Sequence, residues 1–325
     1  MTKQLSLFDI DEHSVLHQRL KTRNILVAEV EEREGKLPLI VSYGGGTNST
    51  AMLLAMKLKG IVPSCIIFAD TGSENPETYS FLEYFNDFLV SIKFPSLTYV
   101  RYEMKKARNR PNSLPKKPKF SDYKTLKILS LAIAVYAFES WVNLNYKYET
   151  LGEQCLVLRT LPSKAFGKSS CSVKWKLDPI NDYADKNFGN GYIKCVGLHA
   201  GEAGRVAKEV MSGKQSFTNR FETYPLFEWG LFQRHCEALN TYFLEHPPSK
   251  SACWFCPNAK PSEIMELKNK HPEYYEIGVF IEENAKTDLG LSRAVKWAEL
   301  YGISENAKMQ AEMFASSRKC GCFDS

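Results

Sequence analysis

Residues 42–50 read Ser42-Tyr43-Gly44-Gly45-Gly46-Thr47-Asn48-Ser49-Thr50, three glycines followed by small polar side chains. An apolar run, Leu39-Ile40-Val41, precedes them, and Ala51 to Leu58 carries apolar residues at helical spacing. The glycines therefore sit on a strand-to-helix turn. Unpaired backbone N–H groups and the positive end of a helix dipole converge at such a turn, and missing side chains let a phosphate or sulfate approach. The chemistry expected of Gly44, Gly45, Gly46, Asn48, Ser49 and Thr50, with Ser42 behind them, is an anion cradle.

Thiols form the second group. Of nine cysteines, Cys253 and Cys256 make a C-x2-C, and Cys320-Gly321-Cys322 makes a C-x-C three residues before Ser325. In a reducing compartment such spacings read as metal-binding or redox signals before they read as disulfides. A zinc ion held by Cys253, Cys256, Cys320 and Cys322 is one reading and an iron–sulfur centre is the other, since thiolates suit both metals. Cys65, Cys155, Cys195 and Cys236 read as buried apolar fillers. A third group is basic: Lys105 to Lys119 holds seven Lys and Arg, no acid and three prolines. That composition builds no core. It is either a lid over polyphosphate or nucleic acid, or a solvated loop.

The elements that must position these residues follow from periodicity. Strands are expected at 38–43, 64–70 and 97–103 and helices at 48–59 and 76–90, an alternation that predicts parallel βαβ units and an α/β doubly wound sheet. A helix is expected over 121–144, an irregular stretch over 145–175 and a further strand within 191–200. After Pro225 the apolar spacing turns helical in 231–244, 262–284 and 290–301. The expected organisation is an N-terminal peptide and helix (1–36), a nucleotide-binding α/β domain (37–230) and a helical, cysteine-bearing C-terminal region (231–325). The balance of 42 Lys plus Arg against 37 Asp plus Glu is too mild for a dedicated nucleic-acid binder. No apolar h-region opens the sequence, and the longest apolar run, 128–138, is short for a membrane span. A cytoplasmic protein without membrane association is expected.

The turn at 44–50 resembles the PP-loop of the N-type ATP pyrophosphatases and of the phosphoadenylyl-sulfate (PAPS) and adenylyl-sulfate (APS) reductases. Gly44 stands where that motif has Ser, and Asn48 where it has Asp. Asp70-Thr71-Gly72 with Pro76-Glu77-Thr78 resembles the family's DTGxxxPET stretch. Gly197-Leu198-His199-Ala200-Gly201-Glu202 with Arg205 resembles its GxRxxE element, with His199 in an arginine position, and Tyr224-Pro225-Leu226 with Trp229 resembles its PLxxW step. The resemblance implies a PP-loop fold with a helical C-terminal part, and an adenine nucleotide (ATP, PAPS or APS) as ligand. Asp70, Thr71 and Gly72 would line the adenosine pocket, with His199, Glu202 and Arg205 near the anion. Asn48 removes the carboxylate best suited to hold Mg²⁺.

Ser170-Cys171 resembles the paired-cysteine stretch of APS reductases, 82 residues before Cys253. The resemblance implies a four-iron four-sulfur cluster on Cys171, Cys253 and Cys256, with Cys320 or Cys322 at the fourth iron or that iron left open. Cys320-Gly321 also resembles the C-terminal E-C-G element of PAPS reductases. That likeness makes Cys320 a nucleophile and Cys322 its resolving partner, a role that competes with metal ligation. Gln4-Leu5-Ser6-Leu7-Phe8 resembles the peptide by which bacterial DNA-processing proteins dock on the sliding clamp; the alternative is a staple of the N-terminal helix onto the core.

Three functions follow from these likenesses. One is adenylation of an acceptor, such as a nucleic acid, followed by sulfur transfer. Another is reductive release of sulfite from PAPS or APS. The third is a non-catalytic nucleotide-binding adaptor at the clamp.

Overall fold

The computed structural model describes residues 20–21, 23–24, 27–28, 31–32, 35–103, 108–109, 145–146, 148–162, 169–189, 191–211, 220–287, 289–291 and 296–302. Strand β1 (Leu39–Tyr43) leads through a glycine turn into α1 (Thr47–Leu58). β2 (Cys65–Ala69), α2 (Pro76–Ser91) and β3 (Leu97–Val100) follow. Arg108–Asn109 (β4) and Asn145–Tyr146 (β5) pair antiparallel. Next come α3 (Leu151–Leu158) and a helix that begins as one α turn at Ser170–Ser172, widens to a π-helix over Val173–Leu177 and continues as α4 (Asp178–Asn187). β6 (Tyr192–Val196), α5 (Ala203–Met211), β7 (Arg220–Thr223), α6 (Pro225–Glu228) and α7 (Gln233–Phe243) complete the sheet layer. α8 (Pro261–Lys270) and α9 (Pro272–Asn284) precede a 3₁₀ turn at Trp297–Gly302.

The five long strands form one parallel sheet in the order β3-β2-β1-β6-β7, with Val41 opposite Ile66 on one side and Cys195 on the other. A parallel sheet must be covered on both faces, which is why β1 and β2 are nearly continuous apolar runs. Val41, Tyr43, Ile66 and Phe68 pack under α1, α2 and α7. Ile40, Ile67 and Ala69 face Ile180 and Ala184 of α4 on the opposite side. The chain steps outward from β1 to β3 and then returns to β1's other side, so the strand order reverses between β1 and β6. Ligands of open α/β sheets bind at the carboxyl ends of strands at such a switch point.

A separate core lies in the helical part. Leu151, Leu156, Trp175, Phe255, Ile264, Ile281 and Trp297 pack together, so this core draws on chain before the sheet is finished as well as after it. The expected irregular stretch 145–175 holds α3 because Thr150 and Glu153 form a reciprocal capping box. The apolar run 262–284 is two helices: Pro272 opens α9 and breaks the continuous helix at His271. Within 290–301 the described residues form the 3₁₀ turn. Cys65, Cys155, Cys195 and Cys236 are buried, as expected of fillers.

Glu282 of α9 is buried and accepts the backbone N–H groups of Leu291 and Trp297. Burial pushes its carboxyl up to about 7 from an ordinary 4.5, while the two N–H donors pull it down. The folded state then holds a proton that the unfolded state has released, so this residue's contribution falls as pH rises from 4.5 towards 7. Glu282→Gln should therefore gain on the wild type between urea melts at about pH 5 and about pH 8. A stability difference that is the same at both pH values would rule this out.

Candidate functional site

β1 delivers its last residue, Tyr43, to the carboxyl edge of the sheet, and Gly44 to Gly46 turn the chain into α1. Gly45 adopts a φ of 82°, in the left-handed region that suits glycine. Gly46 occupies the N-cap without a side chain to cap the helix, and no acid lies in the first turn. The amides of that turn lack intrahelical acceptors and keep the positive end of the dipole uncompensated. The Ser49 hydroxyl accepts from the Gly44 N–H and donates to the Gly46 carbonyl, both at 3.3 Å, and the Thr50 hydroxyl pairs with the Tyr43 hydroxyl at 2.9 Å. Both side chains brace the turn from inside.

Other segments fix the turn from outside. Asn240 of α7 donates to the Thr47 carbonyl at 2.9 Å, and the Ser251 hydroxyl donates to the Gly44 carbonyl at 2.6 Å. Gly197, just past β6, touches the first turn of α1: a Cβ there would lie 3.1 Å from both N and Cα of Ser49. Asn48 is 2% exposed and its Oδ1 has no hydrogen-bond partner. A buried polar atom without a partner is rare in folded proteins and marks a place where a ligand donor fits.

Asp70 ends β2 and organises the neighbouring loop. It accepts from the Gly72 N–H and the Tyr79 hydroxyl, each at 2.7 Å, and pairs with Arg101 through Nε and Nη2. Burial and the Asp70 charge push the Tyr79 phenol far up, so it stays a donor. Further along the edge, Glu202 is buried, accepts the His199 N–H at 3.1 Å and pairs with Arg205. His199 Nδ1 accepts from the Gly201 N–H at 3.0 Å. These three expected anion-side residues thus come together as one knot beside the Gly197 turn.

The cysteine loop crosses the same edge. Cys253 pairs as a backbone bridge with Glu74, the Asn75 N–H donates to the Ala252 carbonyl at 3.0 Å, and the Trp254 N–H donates to the Ser73 carbonyl at 3.1 Å. Burial and then the Glu74 charge push the Cys253 thiol well up, against Lys176 and the Thr71 hydroxyl, which lower it. Cys171 lies within electrostatic reach of Cys253 and of Cys155. Among the described residues, no group of three or more His, Cys, Asp or Glu side chains is arranged to hold a metal ion. Cys320, Cys322, residues 4–8 and the basic segment 105–119, apart from 108–109, lie outside the described residues.

Sequence reasoning missed Glu74, Lys176, Arg101, Asn240 and Ser251. Each acts on a partner distant in the chain, which leaves no local spacing to read. Among the described residues, no helix is long and apolar enough to cross a membrane.

Residues 38–143 match the phosphoadenosine phosphosulfate reductase domain, a family of the PP-loop superfamily. The resemblance read from residues 44–50 and 70–79 is borne out by that match. A relative, the uncharacterized nin region protein ORF290 of Escherichia phage lambda, is 23% identical over 220 residues. The match covers 67% of this chain and 64% of the relative, so the chain spans less than two-thirds of that protein's length.

Proposed function

We propose that this PAPS-reductase-like protein binds an adenine nucleotide at the β1/β6 switch point and uses it for sulfur chemistry. The observation that carries the reading is the uncapped glycine turn opening α1 at the carboxyl edge of the sheet, with no acid in its first turn. First-turn amides of α1 would hold the phosphates, and the Asp70–Gly72 loop would border the adenosine. Such a cradle suits a run of phosphates, which supports adenylation: an acceptor oxygen attacks the α-phosphorus, pyrophosphate leaves, and a sulfur nucleophile then displaces AMP. A nucleic acid meeting the basic segment 105–119 is the proposed acceptor, and residues 4–8 the proposed link to a sliding clamp.

One observation favours the second reading, sulfite release from PAPS or APS. Asn48 is neutral and no acid lies in α1's first turn, so the described cradle offers no carboxylate to Mg²⁺. Iron, zinc and sulfide analysis of anaerobically purified wild type, Cys171→Ser, Cys320→Ser and Cys322→Ser tests whether these thiols belong to one metal-binding set.

Calorimetric titration with ATP, AMP and PAPS tests nucleotide binding. Pyrophosphate release from Mg²⁺-ATP in the presence of nucleic acid, against sulfite release from PAPS with a dithiol supplied as the two-electron reductant, separates the two reactions. Binding without either turnover would mark an adaptor. Gly197→Ala pushes a methyl group against Ser49 and should weaken nucleotide binding about tenfold or more, about 1.4 kcal/mol. Unchanged affinity in a folded Gly197→Ala protein would place the nucleotide elsewhere.

A further inference from the structure

The Glu74 side chain is fully buried, and its two oxygens are treated unequally. Oε1 receives the Lys176 ammonium at 3.0 Å, the Thr71 hydroxyl at 2.9 Å and the Cys253 thiol at 3.8 Å. Oε2 has no hydrogen-bond partner. A carboxylate serving only to neutralise Lys176 would gain by using both oxygens, so the free one is a costly feature.

Three segments meet at this group. Thr71 and Glu74 belong to the loop after β2, which borders the proposed adenosine pocket. Lys176 lies on the π-helix that follows Cys171, and π-helical turns often accompany functional sites. Cys253 lies on the loop whose Ser251 also anchors the Gly44 carbonyl. The cysteine loop therefore touches the nucleotide crevice twice, once at the phosphate cradle and once through Glu74. Any shift of residues 70–74 on nucleotide entry moves the carboxylate against which the Cys253 thiol rests.

We infer that Glu74 is a positioning residue that couples nucleotide occupancy to the accessibility of the Cys253 thiol. The inference rests on the nucleotide reading above and adds to it a link between the nucleotide pocket and the cysteine loop. Linkage makes the coupling reciprocal: a nucleotide that changes Cys253 accessibility must bind with a different affinity once Cys253 is modified.

The test is the rate of iodoacetamide labelling of Cys253 in the full chain, read by peptide mass spectrometry, with and without saturating ATP or AMP. Calorimetry on the same sample reports whether the nucleotide is bound. In the wild type, nucleotide should change the Cys253 rate at least about fivefold, the low end of ordinary coupling between sites. In Glu74→Gln, and in the charge-neutral Glu74→Gln/Lys176→Met, nucleotide should still bind while the change shrinks below about twofold. The ratio of rates is the readout, because a merely structural Glu74 would alter both rates together. Bound nucleotide with a wild-type Cys253 rate that does not move, or a Cys253 that labels in neither state, overturns the inference and leaves the nucleotide reading standing. A full nucleotide response in folded Glu74→Gln also overturns it. No binding to the wild type overturns both.

Discussion

Glu222→Gln is expected to destabilise the protein by about 3–5 kcal/mol, because it strands a buried ammonium group. Lys194 lies in the middle of β6 with its side chain 1% exposed, 2.5 Å from the Glu222 carboxylate and 3.0 Å from Asn181 Oδ1. Lys194→Met in the same chain should return most of the loss, since a buried pair is often replaceable by apolar or neutral groups of similar volume. Burial acts to raise the Glu222 carboxyl, but the Lys194 charge and hydrogen bond, the Tyr224 hydroxyl and the Arg220 charge together hold the group below its ordinary 4.5. A depressed carboxyl contributes stability that is fully present above 4.5 and is lost as pH falls through the lower folded value. The gap between wild type and Glu222→Gln should therefore be full at neutral pH and narrow on acidification below 4.5. Urea melts of the single and double variants decide the point. A single variant that loses less than about 1 kcal/mol would show that the pair is no tighter than a surface ion pair.

The second large effect is expected at Gly72, where Gly72→Ala should cost about 2–4 kcal/mol from two sources. Its φ is 66°, in the left-handed region, and a Cβ there would lie 2.5 Å from Thr150 Cγ2. Thr150 is fixed in place because its hydroxyl caps α3. Thr150→Ser keeps that cap and removes the methyl group, so it should rescue part of the Gly72→Ala loss and leave the backbone part. Thermal melts of the two singles and the double measure the coupling. Strict additivity would mean that the Thr150 methyl contributes nothing, and that the backbone conformation and the 2.9 Å approach to Thr150 Cβ carry the effect.

The sheet was legible in the sequence at β1 and β2, where burial is two-sided, and at the edge strand β3, whose residues are β-branched, aromatic or apolar. Ile40-Val41, Cys65-Ile66-Ile67-Phe68-Ala69 and Leu97-Thr98-Tyr99-Val100 are short apolar or β-branched runs, and the expected strands differ from the observed ones mainly at their ends. The cradle was legible because a glycine turn is a local signal. α3 was missed although Thr150-x-x-Glu153 announces its start, since the flanking residues gave no periodic context. The Glu74 group was beyond reach for a different reason. Residues 74, 176 and 253 meet only after the helical core has folded against the sheet edge, and nothing in any one segment names its partner.

The bonds that close the glycine turn also set an order on the chain's own synthesis. Asn240 reaches back 193 residues to Thr47, and Ser251 reaches back 207 residues to Gly44. At about 5–20 residues per second a ribosome needs on the order of 10–40 s to make that length. During this interval β1, β2 and β3 can already be paired while the carbonyls of Gly44 and Thr47 wait for donors not yet translated. A message cut short between codons 224 and 240 would yield a chain with all five sheet strands and neither fastener of the turn.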